Sequence, residues 1–252
     1  MALVPNIAGT EIRQEGANVA FLLVHGFCAA PDELATLAEF LSQKKISSFS
    51  VKIKGHNTTP DDLEKTKWQD WYQSVVDGLN YVKSWNIEYV FVAGISMGGA
   101  LSILLAAEQD GIDGLVLIAP AMRIDGILPK LVPILKHVMK YRKIDTVTAQ
   151  EQYDVKRTKY DREPVSAYHE LFKLQKFARS QMNKVSIPTL ILQGDSDKTI
   201  NPENGNIVLK GINSNDKTLH IIKGGEHVIP CHLTRHEAYP IIEEFIAKIT
   251  KT

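Results

Sequence analysis

Cysteine is scarce in this chain. Cys28 and Cys231 are the two among 252 residues; they stand far apart, form no C-x-x-C pair, and are expected to be free thiols. Charge of one sign is lacking too. Lys plus Arg and Asp plus Glu number 29 each, which removes the electrostatic footing a nucleic-acid partner would need. No apolar run approaches the roughly 20 residues required to span a bilayer, and the opening "MALVPNIAGTEIRQEG" has no basic region followed by an apolar core, so no secretory signal is read there. These absences lead to the expectation of a cytoplasmic protein without stable membrane insertion; a monomer or homodimer is expected. The apolar fraction of 44% is ordinary for a globular protein. The length suits one large domain or a domain carrying an insertion.

The apolar segments repeat in a regular order. "VAFLLV" at 19–24 is short, continuous and rich in branched residues, as suits a strand buried on both faces. Asp32 and Glu33 then mark a first helical turn, and Leu34, Leu37, Ala38 and Leu41 recur at helical spacing. "FSVKI" at 49–53 leads through a Gly/Asn/Thr/Pro loop to a helix lined by Trp68, Trp71, Tyr72, Val75, Leu79 and Val82. "YVFVAG" at 89–94 is followed by the apolar helix "ALSILLAA"; "LVLIAP" at 115–120, "PTLILQG" at 188–194 and "TLHII" at 218–222 continue the series, and Ile242, Phe245, Ile246 and Ile249 close it with an amphipathic helix. Strands of this kind alternating with helices predict an α/β fold with a mostly parallel central sheet flanked by helices. Ligands of such sheets bind beyond the C-terminal strand ends, where His25, Ser96, Asp197 and the loop after 222 all fall. Residues 121–184 break the rhythm. They hold two helical candidates around a polar stretch and no convincing buried strand, so they are expected to form a small inserted cap between the core parts 1–120 and 185–252.

"VAGISMGGA" at 92–100 carries a G-x-S-x-G pattern between two apolar runs. Gly94 and Gly98 remove side chains that would collide where a strand turns sharply into a helix, leaving Ser96 exposed at the turn. A serine hydroxyl is a poor nucleophile unless a base lies within hydrogen-bond reach and a third group orients that base. Among eight histidines, His227 in "IIKGGEHVIP" follows a candidate strand and a flexible Gly224-Gly225 pair, the position of a base carried over the sheet on a loop. His25 precedes Gly26-Phe27 and reads as part of a backbone-defined turn, and His56 reads as either a turn-stabilising or a pocket residue. Two acids follow "TLILQG": Asp195 is placed to hydrogen-bond into the turn, and Asp197 has the reach toward His227.

With these stretches together, "LLVHGFCAAPDE", "GISMGG", "LILQGDSDKTINP" and "GGEHVI" resemble the α/β-hydrolase superfamily, and within it the small bacterial and archaeal carboxylesterases and monoacylglycerol lipases of about 250 residues. The likeness covers essentially the whole chain. It implies Ser96 as nucleophile, Asp197 as acid, His227 as base, and the amides of Phe27 and Met97 as the oxyanion hole. The implied activity is hydrolysis of short- to medium-chain acyl esters, monoacylglycerols among them, through an acyl-enzyme intermediate, with a small-molecule ester as partner and no metal or organic cofactor. Two positions depart from the family pattern: Asn57 stands where a second glycine is common after "GH", and Glu226 stands beside the base where small residues are common. In the cap, "ILPKLVPIL" offers Ile127, Leu128 and Leu131 either as an acyl-chain pocket, as the resemblance implies, or as packing of the cap onto the core, with Pro129 and Pro133 restricting helix to short pieces. The rival readings are an amide or carbon–carbon bond hydrolase on the same scaffold and a non-catalytic small-molecule binding protein.

Overall fold

The computed structural model describes residues 7–251. The first residues of the segment read as lacking a secretory signal, 1–6, lie outside that range. In chain order the strands are β1 (Gly9–Ile12), β2 (Val19–Val24), β3 (Ser47–Val51), β4 (Tyr89–Ile95), β5 (Gly114–Ile118), β6 (Tyr141–Lys143), β7 (Arg162–Pro164), β8 (Thr189–Gly194) and β9 (Lys217–Ile222). The helices are α1 (Ala35–Gln43), α2 (Pro60–Glu64), α3 (Trp68–Lys83), α4 (Met97–Glu108), α5 (Leu128–Leu135), α6 (Thr146–Glu151), α7 (Val165–Gln181), α8 (Glu203–Gly211) and α9 (Arg235–Thr250). Seven strands form one sheet in the order β1-β3-β2-β4-β5-β8-β9, parallel throughout except for β1. The mostly parallel sheet flanked by helices is the architecture expected from the alternation of apolar runs.

The central strands β2, β4, β5 and β8 look continuously apolar because each face of the sheet meets its own core. Along β2, Ala20, Leu22 and Val24 pack into a cluster with Trp71 and Leu79 of α3 and Leu101 of α4, while Val19, Phe21 and Leu23 join Leu37 of α1 and Ile242 of α9 on the opposite face. Alternation of side chains along a strand thus divides one apolar run between two layers. Phe21 and Phe91 stack at 5.1 Å between ring centroids, which ties neighbouring strands together on the α9 face.

Local differences from the sequence reading have local causes. β3 begins two residues earlier than expected and ends at Val51; Ile53 stays buried, but its amide donates to His25 Nε2 at 3.3 Å instead of to a ladder. β1 is a four-residue, largely exposed edge strand with no apolar alternation to announce it. α8, "ENGNIVLKG", forms despite two glycines and two asparagines, by packing Val208 into the core. α5 is limited to eight residues, with Pro129 in its first turn and Pro133 inside it.

Between β5 and β8 the chain leaves the main sheet. It forms α5, a two-stranded antiparallel pair of β6 and β7, α6 and α7. Ala167, Leu171, Leu174 and Ala178 of α7 belong to the same buried cluster as Leu101 and Leu104 of α4, so this segment is anchored to the sheet layers at its C-terminal end.

Candidate active site

The turn from β4 to α4 explains its own sequence. Ser96 adopts φ 55° and ψ −117°, a costly conformation for a residue with a Cβ. The surrounding chain holds it there: Ser96 N donates to Ile118 O at 3.0 Å, and Ser96 O accepts from the amides of Gly99 and Ala121, each at 3.0 Å. A Cβ on Gly94 would collide with Ser102 Oγ and Gly98 O, and one on Gly98 would collide with Val24 O. Both flanking glycines are therefore demanded by contact.

Three loops at the C-terminal ends of β4, β8 and β9 converge on that serine. His227 lies 2.9 Å from Ser96 Oγ through Nε2 and 2.7 Å from Asp197 Oδ2 through Nδ1. A carboxylate only accepts, so Nδ1 carries the proton and Nε2 of the neutral ring is left to accept from the hydroxyl. Asp197 Oδ2 also receives Gln193 Nε2 at 3.2 Å, while Oδ1 receives the amides of Thr199 at 2.8 Å and Ile200 at 3.0 Å. Burial pushes the Asp197 carboxyl up, but its bond to His227 and the two amides outweigh this and hold it below the ordinary carboxylate range. Asp195 does what its place in the turn suggested: Oδ1 accepts Gly224 N at 2.7 Å and Ser196 Oγ at 3.0 Å.

The loop after β2 faces the same point. His25 is wholly buried, with Nδ1 2.9 Å from Gly26 O and Nε2 receiving Ile53 N. Burial lowers its pKa, which favours the neutral ring that these two bonds require. His56 packs edge-on against it at 5.3 Å, and burial, reinforced by His25, pulls its pKa down to about 3. Both rings bond to backbone of their own turns, His25 to Gly26 O and His56 Nδ1 to Lys54 O at 3.3 Å. Asn57 occupies φ 50°, a region that glycine adopts freely and asparagine tolerates, so the departure from glycine preserves the turn. Met97 opens α4, where the first amides have no acceptor within the helix.

A cavity of about 370 Å³ opens above Ser96 and His227, with Gly26 and Phe27 among its lining residues. Its apolar wall includes Ile124, Ile144, Leu171 and Ile200, and its polar lining includes Arg142, Arg157, Lys159, Glu33 and Glu163. Ile127 and Leu131 are not part of the lining. They are 67% and 40% exposed because α5 turns Val132 inward and these residues outward; the Leu128 side chain lies outside the described side chains. Glu226, beside the base, directs its carboxylate to Lys198 Nζ at 3.4 Å. The charged lining from the β5–β8 segment, Arg142, Arg157 and Lys159, was missed in sequence because cations scattered through a polar stretch carry no periodic signal.

Cys28 and Cys231 are free and buried. Burial, then the nearby Glu163 carboxylate, pushes the Cys28 thiol far up; burial followed by Glu33 raises Cys231 to about 12. Neither thiol has thiolate character at neutral pH. Among the described residues no cluster of three potential metal ligands occurs, and no helix is long and apolar enough to cross a membrane.

Comparison with known proteins gives this geometry its context. The chain is 30% identical over 226 residues to a thermostable monoacylglycerol lipase of Bacillus sp. (strain H-257), covering 89% of each chain. It is 26% identical over 235 residues to a carboxylesterase of Bacillus subtilis (strain 168), covering 93% of this chain and 95% of that one. A solved structure from work on LipS and LipT, two metagenome-derived lipolytic enzymes, superposes with a TM-score of 0.88 at 23% identity over 97% of this chain and 98% of the other. A family model described as serine aminopeptidase, S33, matches residues 16–231, and by that match the chain belongs to this family of α/β-hydrolases.

Proposed function

We propose that the protein is a serine carboxylic-ester hydrolase in which Ser96 is the nucleophile, His227 the general base and acid, and Asp197 the residue that orients His227. The observation that carries this reading is the continuous hydrogen-bond chain from Ser96 Oγ through both nitrogens of His227 to Asp197. His227 Nε2 takes the hydroxyl proton as Oγ attacks the ester carbonyl, and Asp197 stabilises the imidazolium that results. The amides of Phe27 and Met97 receive the developing oxyanion; one such donor is worth about 3 kcal/mol to the transition state. The tetrahedral species collapses as His227 protonates the departing alcohol, and water activated by the same imidazole then releases the acid from Ser96. Neither half-reaction calls for a metal or organic cofactor.

The substrates proposed are short- to medium-chain acyl esters, monoacylglycerols among them, in keeping with the names of the Bacillus relatives. Ile124, Ile144 and Leu171 supply the apolar wall for the acyl chain, each buried methylene contributing about 0.8 kcal/mol. We further propose that residues 121–184 act as a cap over the site. The aminopeptidase description of the family supports a second reading, amide hydrolysis by the same groups. Hydrolysis of a p-nitrophenyl ester series and the matching p-nitroanilides separates the two: the ester reading expects turnover of esters to exceed that of anilides by far more than their intrinsic reactivity difference, and to be abolished in S96A. Preferential cleavage of anilides would overturn it.

A further inference from the structure

The loop proposed to hold the oxyanion is clamped from two sides. On one side His25 Nδ1 holds Gly26 O at 2.9 Å. On the other, Glu33 Oε2 accepts Gly26 N at 2.7 Å. A peptide is planar and trans, so the carbonyl of Gly26 and the amide of Phe27 point in opposite directions. Fixing the two bonds of Gly26 therefore fixes where the Phe27 N–H aims. Glu33 does not stand alone: its Oε1 pairs with Arg157 Nη1 at 3.1 Å, and the two side chains are only 4% and 8% exposed. Arg157 comes from the segment between β5 and β8. Its neighbours join the same loop, with Thr158 N and Oγ1 donating to Asp32 Oδ2 at 2.9 and 2.7 Å, and Tyr160 N donating to Cys28 O at 3.3 Å.

We infer that Glu33 is a positioning residue for the oxyanion loop and that Arg157 completes its setting, so the aim of the Phe27 amide depends on residues 157–160 being docked. The inference rests on the proposed serine-hydrolase reading and extends it, since it makes the inserted segment a structural part of the reacting site as well as a cover. A buried carboxylate bound to one backbone amide and one guanidinium has a defined orientation; a truncated side chain leaves the Gly26 amide without its acceptor.

The test compares two inhibitors that differ in the species they become. 1,1,1-Trifluoro-2-octanone adds the serine and presents an oxyanion, whereas 2-octanone reports binding of the chain. The quantity read is the ratio of their inhibition constants, with p-nitrophenyl butyrate as substrate. In E33A, kcat is expected to fall up to about 100-fold with little change in KM, as for a misplacement of about 1 Å, and the preference for the trifluoromethyl ketone should shrink by a similar factor. E33Q, which keeps an acceptor for Gly26 N, should show a smaller but measurable loss of the same kind, as should R157M. The ratio is read within each folded sample, so reduced stability alone leaves it unchanged; E33Q carries the test if E33A does not fold. An unchanged ratio in E33Q and in whichever other variants fold overturns the role of Glu33. A wild-type protein that fails to prefer the trifluoromethyl ketone overturns the oxyanion reading itself, and the inference with it.

Discussion

Replacing Asp197 by asparagine changes one atom type at the end of a four-bonded side chain. The carboxamide of D197N can still accept the amides of Thr199 and Ile200 through its oxygen, since both bonds end on the same Asp197 atom. That choice turns the NH2 group toward Gln193 Nε2 and His227 Nδ1, the two partners of Oδ2. Two donors then confront one another, and His227 relieves the conflict by moving its proton to Nε2. Its nitrogen facing Ser96 becomes a donor, and the base is lost. The expected cost is about 10⁴-fold in kcat, or about 5.4 kcal/mol in the barrier. D195N should cost far less, because its carboxamide oxygen can still accept Gly224 N. Initial rates on p-nitrophenyl butyrate, with circular dichroism to verify folding, measure both. A loss under tenfold in D197N, or a larger loss in D195N, would refute the assignment. The same variant has a stability signature. Asp197 is held below its ordinary pKa, so its contribution is fully present above the unfolded value of about 3.9 and is lost as pH falls through the folded value. The Tm of D197N should therefore depend less on pH below about 4 than that of the wild type.

The remaining expectations probe the frame around the triad. G98A should be destabilised by about 3 kcal/mol or more, since the new Cβ would meet backbone that cannot give way; in a chain of this size that is a Tm loss of roughly 6–12 °C, and a loss below about 2 °C would show that the turn relaxes. C28A should keep activity within a few-fold of wild type, and the native protein should react slowly with a bulky thiol reagent, because Cys28 is 1% exposed and its thiol is protonated; complete loss of activity in folded C28A would demand another role for it. I144A should move the acyl-length cut-off toward longer chains, while I127A and L131A leave the profile unchanged. A cut-off that responds to Leu131 and not to Ile144 would place the acyl chain against α5.

The parallel sheet was legible because its central strands β2, β4, β5 and β8 are short branched runs buried on both faces, a pattern that exposed loops do not imitate. The meeting of Ser96, His227 and Asp197 was legible for a related reason: each follows an apolar run, buried in β4 and β8 and half-exposed in β9, and G-x-S-x-G has a steric purpose that contact with Val24 O and Ser102 Oγ makes plain. β1 and α8 escaped because their sequences carry little signal of their own and their conformation is imposed by neighbours. The cavity wall escaped for a different reason. "ILPKLVPIL" is the most apolar stretch between β5 and β8, but apolarity does not say which way a helix faces, and Ile127 and Leu131 face away from the cavity. Glu33 looked like a helix-start acid; that its carboxylate returns to Gly26, seven residues earlier, depends on a turn that no local pattern encodes.

The central claim is that Ser96 is the nucleophile activated by His227. Its most direct test is covalent labelling with a fluorophosphonate followed by peptide mass spectrometry. The account predicts one adduct, on Ser96, forming with loss of esterase activity in equal proportion, absent in S96A and slowed by orders of magnitude in H227A. Stoichiometric labelling of any other residue with loss of activity, or an S96A protein that still turns over esters at near wild-type rate, would contradict it.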